Sequence, residues 1–217
     1  DGVFEGRKWD VTLIGPASGA DLVAVDGREF VRSKNKRLYS LKALQGSADG
    51  GMWEGVKVYD NHLSDEEFQQ RQGMRSVAKE WVGTIVNVKW NELVKKLQGV
   101  LKVVDEALAR KLKAAYEAGI LDSIGLSIDT VPGDVGQVMI EGERLPVIES
   151  FQHIFSVDVV SNPAAGGGFD RLIAAIQPEE VQQMEERELQ ELAQMIAPLV
   201  AEALAATESE ELEEEEE

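Results

Sequence analysis

The chain of 217 residues contains no cysteine. That absence excludes a disulfide framework, a thiol nucleophile and any cysteine-held zinc, and it suits a reducing compartment. Histidine is nearly absent too: only His62 and His153 occur, 91 positions apart, a spacing that matches no usual metal-ligand pattern. No run of about 18 apolar residues is present, so no membrane-spanning helix is expected, and no secretory leader is visible. Positive charge is scarce, with 22 Lys and Arg against 40 Asp and Glu and a net charge of −18. A nucleic-acid partner held on a broad basic face is therefore disfavoured, because phosphate contacts need clustered Lys and Arg. The acidity is also uneven. Residues 178–217 hold fifteen Glu and one Arg, leaving the preceding body only mildly acidic. The glutamate tract lacks the glycine and ligand alternation of a dedicated calcium loop, and no cofactor is expected. The chain starts at Asp1 rather than Met, which processing or an arbitrary boundary would explain.

What remains is 43% apolar, enough for one domain with a core plus an appendage. The first 60 residues pattern as β-rich. Residues 9–14 form a strand candidate stopped by Gly15-Pro16. Residues 22–25 run into Asp26-Gly27, a hairpin signal, with residues 28–32 as the return strand. Residues 38–44 fit a strand or a short helix, and residues 46–51 a loop. Residues 56–59 alternate as a short strand that delivers His62 at its end. Ser64 and Glu67 make a capping box, and residues 81–88 and 99–104 suggest further strands. Residues 105–118 have helical spacing, with Leu108, Leu112, Ala115 and Tyr116 on one face and Gly119 as the stop. Residues 137–140 and 147–160 are expected as strands, and residues 169–176 as a short helix. From Pro178 apolar residues recur at helical spacing between Glu and Gln, Pro198 interrupts them, and residues 208–217 should be disordered. The chain thus divides into a mixed α+β body, 1–176, dominated by antiparallel strands, and an acidic tail, 177–217, with an amphipathic helix.

Three segments hold the candidate chemistry: Asp60-Asn61-His62, Gly125-Leu126-Ser127-Ile128, and the run from Ser156 through Asp158 to Gly167. Together they offer an imidazole, a hydroxyl and a carboxylate, the parts of a nucleophilic triad. Gly125 beside Ser127 would let the backbone approach a substrate closely. A strand serine bonded to a neighbour explains Ser127 equally well on local grounds, and Ser123 competes without a flanking glycine. His62 past a strand end is placed to act as a base, or is an ordinary loop histidine. Asp158 among β-branched residues is costly to bury unless paired, so it either faces water or has a partner. His153 is the runner-up for the third position. The small residues of 161–168 could aim amides at an oxyanion, or could simply turn the chain. Gly-Leu-Ser-Ile is not the elbow of an α/β-hydrolase.

These residues resemble a tailed-phage prohead protease, the serine endopeptidase that matures the capsid. The match lies in residues 56–62 with Arg75-Ser76-Val77 and residues 81–85, in residues 119–128, and most specifically in residues 156–167, in family order across about residues 9–176. The resemblance implies a fold like the herpesvirus assemblin, a mostly antiparallel β-barrel flanked by helices. It implies Ser127 as nucleophile and His62 as general base. The third member is Asp158 on the phage pattern and His153 on the herpesvirus pattern. Some relatives place the acid where this chain has Ser156, and residues two apart on a strand share a face. The implied substrates are scaffold protein and extensions of the major capsid protein, cleaved inside a procapsid made in a bacterial cytoplasm. A homodimer is an expectation by analogy with the herpesvirus enzymes. The acidic tail would co-assemble with scaffold or meet a basic inner capsid face. The rival expectation is a non-enzymatic scaffold or core protein with a protease-like body.

Overall fold

A computed structural model describes residues 7–71 and 75–173. They belong to one compact unit, Asp1–Ala174. The expected tail helix, its Pro198 interruption and the glutamate tract lie outside the described residues.

The chain order starts with β1 (Lys8–Ile14), a 3-10 turn at Gly19–Asp21, the hairpin β2 (Leu22–Val25) and β3 (Arg28–Arg32), then β4 (Leu38–Ser40). Asp26 and Gly27 both take positive φ, 51° and 74°, as a two-residue hairpin turn requires. Next come α1 (Leu41–Asp49), β5 (Lys57–Asp60), α2 (Asp65–Arg71), α3 (Val77–Glu80) and the long hairpin β6 (Trp81–Asn91) and β7 (Lys96–Val103). They are followed by α4 (Glu106–Glu117), a 3-10 turn at Leu121–Ser123, β8 (Gly125–Pro132), β9 (Val135–Ile140), β10 (Glu143–Ile148), β11 (Phe151–Val160) and β12 (Gly168–Leu172).

Seven strands close a barrel in the order β1-β12-β8-β11-β5-β6-β7. All its pairs are antiparallel except β5 with β11, which run parallel. A separate five-stranded sheet has the order β2-β3-β4-β10-β9. The molecule is therefore mixed α+β and mostly strand. The barrel interior holds Trp9, Val11, Leu13, Val58, Ile85, Leu101 and Val157, all at most 1% exposed. Burial of such side chains supplies the main stabilising term, about 1.5–3 kcal/mol each. The second sheet covers a smaller cluster of Phe30, Leu38, Leu145 and Val147. Among the described residues no helix is long and apolar enough to cross a membrane.

Four expectations need correction. Residues 46–51 are not all loop, because α1 continues through Gly46 to Asp49. Ser40 caps that helix by accepting from the Ala43 amide at 3.1 Å, and buried Ala43, Leu44 and Ser47 hold it down. Packing outweighs the helix-breaking tendency of Gly46. Residues 147–160 are two strands in different sheets, broken at Glu149-Ser150. Residues 168–172 are not helical. They form β12, which pairs with β1 and completes the barrel. On α4, Tyr116 is 47% exposed, although its ring meets Trp9 edge-on at 5.9 Å.

Candidate active site

Strand pairing places the three candidate segments at one end of the barrel. On β11, Asp158 lies opposite Tyr59 of β5 on one side and opposite Ser127 of β8 on the other. Its neighbours Val157 and Val159 belong to the core cluster, as does Val58. By strand alternation Tyr59, Asp158 and Ser127 therefore form a row on the outer face of the wall. Ser156 and Asp129 form the next row of the same face.

The chain delivers His62 to this row by a turn just past β5. Asn61 adopts φ 66°, a left-handed conformation that asparagine tolerates better than most residues. Its amide donates to Val159 O at 3.0 Å, and its carbonyl accepts from Arg75 Nη2 at 2.7 Å. Held on both sides, this peptide sends His62 back over β11. His62 Nδ1 lies 2.5 Å from Asp158 Oδ2. A carboxylate only accepts, so Nδ1 carries the proton and Nε2 keeps its lone pair.

Asp158 is fully buried. Its other oxygen accepts from Ser156 Oγ at 3.0 Å, and Arg75 Nη1 reaches Oδ2 at 3.3 Å. The guanidinium also lies over the Tyr59 ring, 4.4 Å from its centroid. Three donors thus satisfy a carboxylate that would otherwise be very costly to bury. Ser156, two places earlier on the same face of β11, acts here as a supporting hydroxyl.

The electrostatics follow from this arrangement. His62 is held above its usual value near 6.5, first by the hydrogen bond to Asp158. Partial burial opposes that rise, the charges of Asp158 and Asp129 add to it, and the Arg75 charge counters it. Asp129 is also raised, first by burial and then by the Asp158 charge. Sequence reasoning passed over Asp129. The missed signal is parity: Ser127 and Asp129 alternate on β8 as Ser156 and Asp158 do on β11.

Ser127 stands directly across from Asp158, where paired side chains on one face have Cβ atoms about 4.5–5.5 Å apart. Among the described residues its hydroxyl has no hydrogen-bond partner. The competing Ser123 ends the second 3-10 turn and donates to Ile120 O at 2.7 Å. His153 does not join the site. It lies opposite Val131, exposed, with its ring edge-on to Phe155 at 4.6 Å.

Gly125 serves packing and not open access. A Cβ there would lie 2.4 Å from Pro163 Cγ and 2.9 Å from Gly167 O. The loop 161–167 docks through its carbonyls: Ala165 O accepts from Gly15, Ala164 O from Lys34, and Gly167 O from Leu126 at 3.2 Å. It buttresses the start of β8, two residues from Ser127. A cleft of about 400 Å³ opens at this end, lined by Asn61, Lys111, Ser123, Val160 and Ser161 among others. A larger cleft of about 700 Å³ beside Trp90 contains none of the candidate residues. Among the described residues no group of three His, Asp or Glu is arranged to hold a metal ion.

Comparison of the chain with protein-family models, with curated proteins and with solved structures finds no match.

Proposed function

We propose that the protein is a serine endopeptidase of the prohead-protease kind, with an assemblin-like barrel. The observation that carries this reading is the 2.5 Å contact between His62 Nδ1 and the buried Asp158, with the Ser127 hydroxyl on the facing residue of the next strand. Asp158 fixes the imidazole tautomer and stabilises its charged form. The Nε2 lone pair accepts the Ser127 proton as the serine oxygen attacks a peptide carbonyl. The imidazolium then returns that proton to the leaving amine, and water, activated by the same base, releases the acyl group. The loop 161–168, which abuts Leu126, is the segment to supply amides for the oxyanion. The half-exposed imidazole leaves the base open to a substrate.

The substrates on this reading are scaffold protein and extensions of the major capsid protein, cut within a procapsid. The motif order and the acidic tail support that assignment.

The test is covalent labelling with a fluorophosphonate, followed by peptide mapping. The label is expected on Ser127 and absent from Ser127→Ala, whose unfolding curve matches the parent. Failure of the native protein to label, or cleavage of co-expressed scaffold by Ser127→Ala at the parent rate, overturns the assignment.

A further inference from the structure

Arg75 is the residue whose placement the triad alone does not explain. It comes from the short connection before α3, 83 positions from Asp158, yet its side chain is only 10% exposed. One end of the guanidinium reaches the Asp158 carboxylate and the other reaches the Asn61 carbonyl, while its face lies on Tyr59. It therefore touches the group that orients the base and the peptide that carries the base. Among the described residues its Nε is buried without a hydrogen-bond partner, and Glu80 Oε2 stands 3.6 Å away, an ion-pair contact too long for a hydrogen bond. A buried donor left short of a partner is a cost to folding, which points to a role beyond stability.

A neutral imidazole, the form that acts as base, brings no charge to Asp158. The fully buried carboxylate then needs another cation. A guanidinium keeps its charge throughout the working pH range and can span two acceptors in one plane.

We propose that Arg75 is a positioning residue: it pins the Asn61 turn so that His62 stays over Asp158, and it provides the permanent positive charge that sets how readily the base gives up its proton. The inference rests on the peptidase reading for its catalytic meaning, although its physical content can be tested without any turnover. The charged groups facing His62 are Asp158 from β11, Asp129 from β8 and Arg75 itself, with Glu80 of α3 behind the guanidinium and the Tyr59 phenol of β5 beneath it.

The experiment is an NMR titration of the two imidazoles in the full chain. His153 lies outside the site, and its chemical shift reports whether the barrel is intact. Arg75→Gln removes the charge and keeps the length, and Arg75→Lys keeps the charge but cannot hold both acceptors. In Arg75→Gln the His62 midpoint is expected to rise by about half a unit to one unit, because a cation that opposes imidazole protonation has gone. In Arg75→Lys it is expected within about 0.3 units of the parent, as the local charge is kept. An unchanged or lowered midpoint in Arg75→Gln overturns the charge role. A second arm follows fluorophosphonate labelling against pH. Arg75→Gln is expected to move the acid limb to higher pH by the same interval. Arg75→Lys is expected to keep the limb and lose about tenfold or more in the limiting rate, the cost of a loosened base. A parent-like limiting rate in Arg75→Lys overturns the pinning role. If the native protein does not label at all, the peptidase reading fails while the NMR arm still decides the place of Arg75.

Discussion

Replacing Asp158 with Asn tests the site most sharply, because it changes charge with almost no change of shape. The carboxylate is fully buried and accepts from His62, Ser156 and Arg75. The amide offers one acceptor and a donating NH2 group. With its NH2 turned to Ser156 the hydroxyl can rotate to accept, and His62 and Arg75 keep a neutral acceptor in place of a charge; with its NH2 turned the other way it meets both of those donors. In that second orientation the imidazole adopts the other tautomer and its outward nitrogen no longer accepts a proton from Ser127. Loss of the aspartate charge from a Ser-His-Asp triad lowers turnover about 10⁴-fold, and a loss of that order is expected in the labelling rate at neutral pH. Stability should fall as well. Arg75, 10% exposed, would face no carboxylate at that point, and breaking one side of a buried ion pair costs about 3–5 kcal/mol. Urea unfolding measures that loss. The decisive variant is the double substitution Arg75→Met with Asp158→Asn. With neither charge left buried, it should recover about 1–3 kcal/mol relative to Asp158→Asn alone, a coupling of the size usual for contacting charges. Its labelling rate should stay low. Two results would refute the reasoning: Asp158→Asn labelling within tenfold of the parent, or strict additivity of the two substitutions in unfolding free energy.

Other expectations follow from the same geometry. His62 is raised in the fold, so its contribution to stability is fully present below its unfolded value near 6.5 and is lost as pH rises through the folded value. Labelling should run the other way, with an acid limb above pH 6.5, because only neutral imidazole accepts the Ser127 proton; parallel unfolding and labelling profiles check both signs. Asp129→Asn removes a negative charge that favours the imidazolium, and should move that limb to lower pH. Because the Asp129 carboxyl is raised by burial, its charged form costs the fold stability at neutral pH, and the same substitution should raise the urea midpoint. Gly167→Ala should damage fold and site together, since its Cβ would sit 2.1 Å from Leu126 O and 2.9 Å from Leu13 O. Both obstacles are backbone, so a loss of about 1–3 kcal/mol or more in unfolding and a collapsed labelling rate are expected.

Local signals were legible where short-range chemistry decides the conformation. Asp26-Gly27 turns the hairpin, and Asp105 caps α4 by accepting from the Leu108 amide. Ser64 and Glu67 form both halves of the capping box. Long-range pairing was not legible. The Gly168–Leu172 strand exists because β1 offers an edge about 160 positions earlier, and its own residues favour no strand strongly enough to announce it. Gly46 suggested a loop, yet the buried face of α1 outweighs it. At the site, rarity made His62 and Asp158 readable: a lone loop imidazole and a carboxylate in a β-branched run. Arg75 had a place in the resembled motif but no function there, because only folding reveals what a distant guanidinium touches. Asp129 was hidden by its ordinary setting in a strand.

The parallel contact between β5 and β11 sets an order of events. The imidazole side of the site is synthesised about a hundred residues before its carboxylate partner, and the first barrel strand cannot be sealed until β12 emerges. A nascent chain released early would hold the Ser127 hydroxyl and the His62 imidazole with no Asp158 to align them. On the proposed peptidase reading, cleavage would therefore wait for a finished barrel.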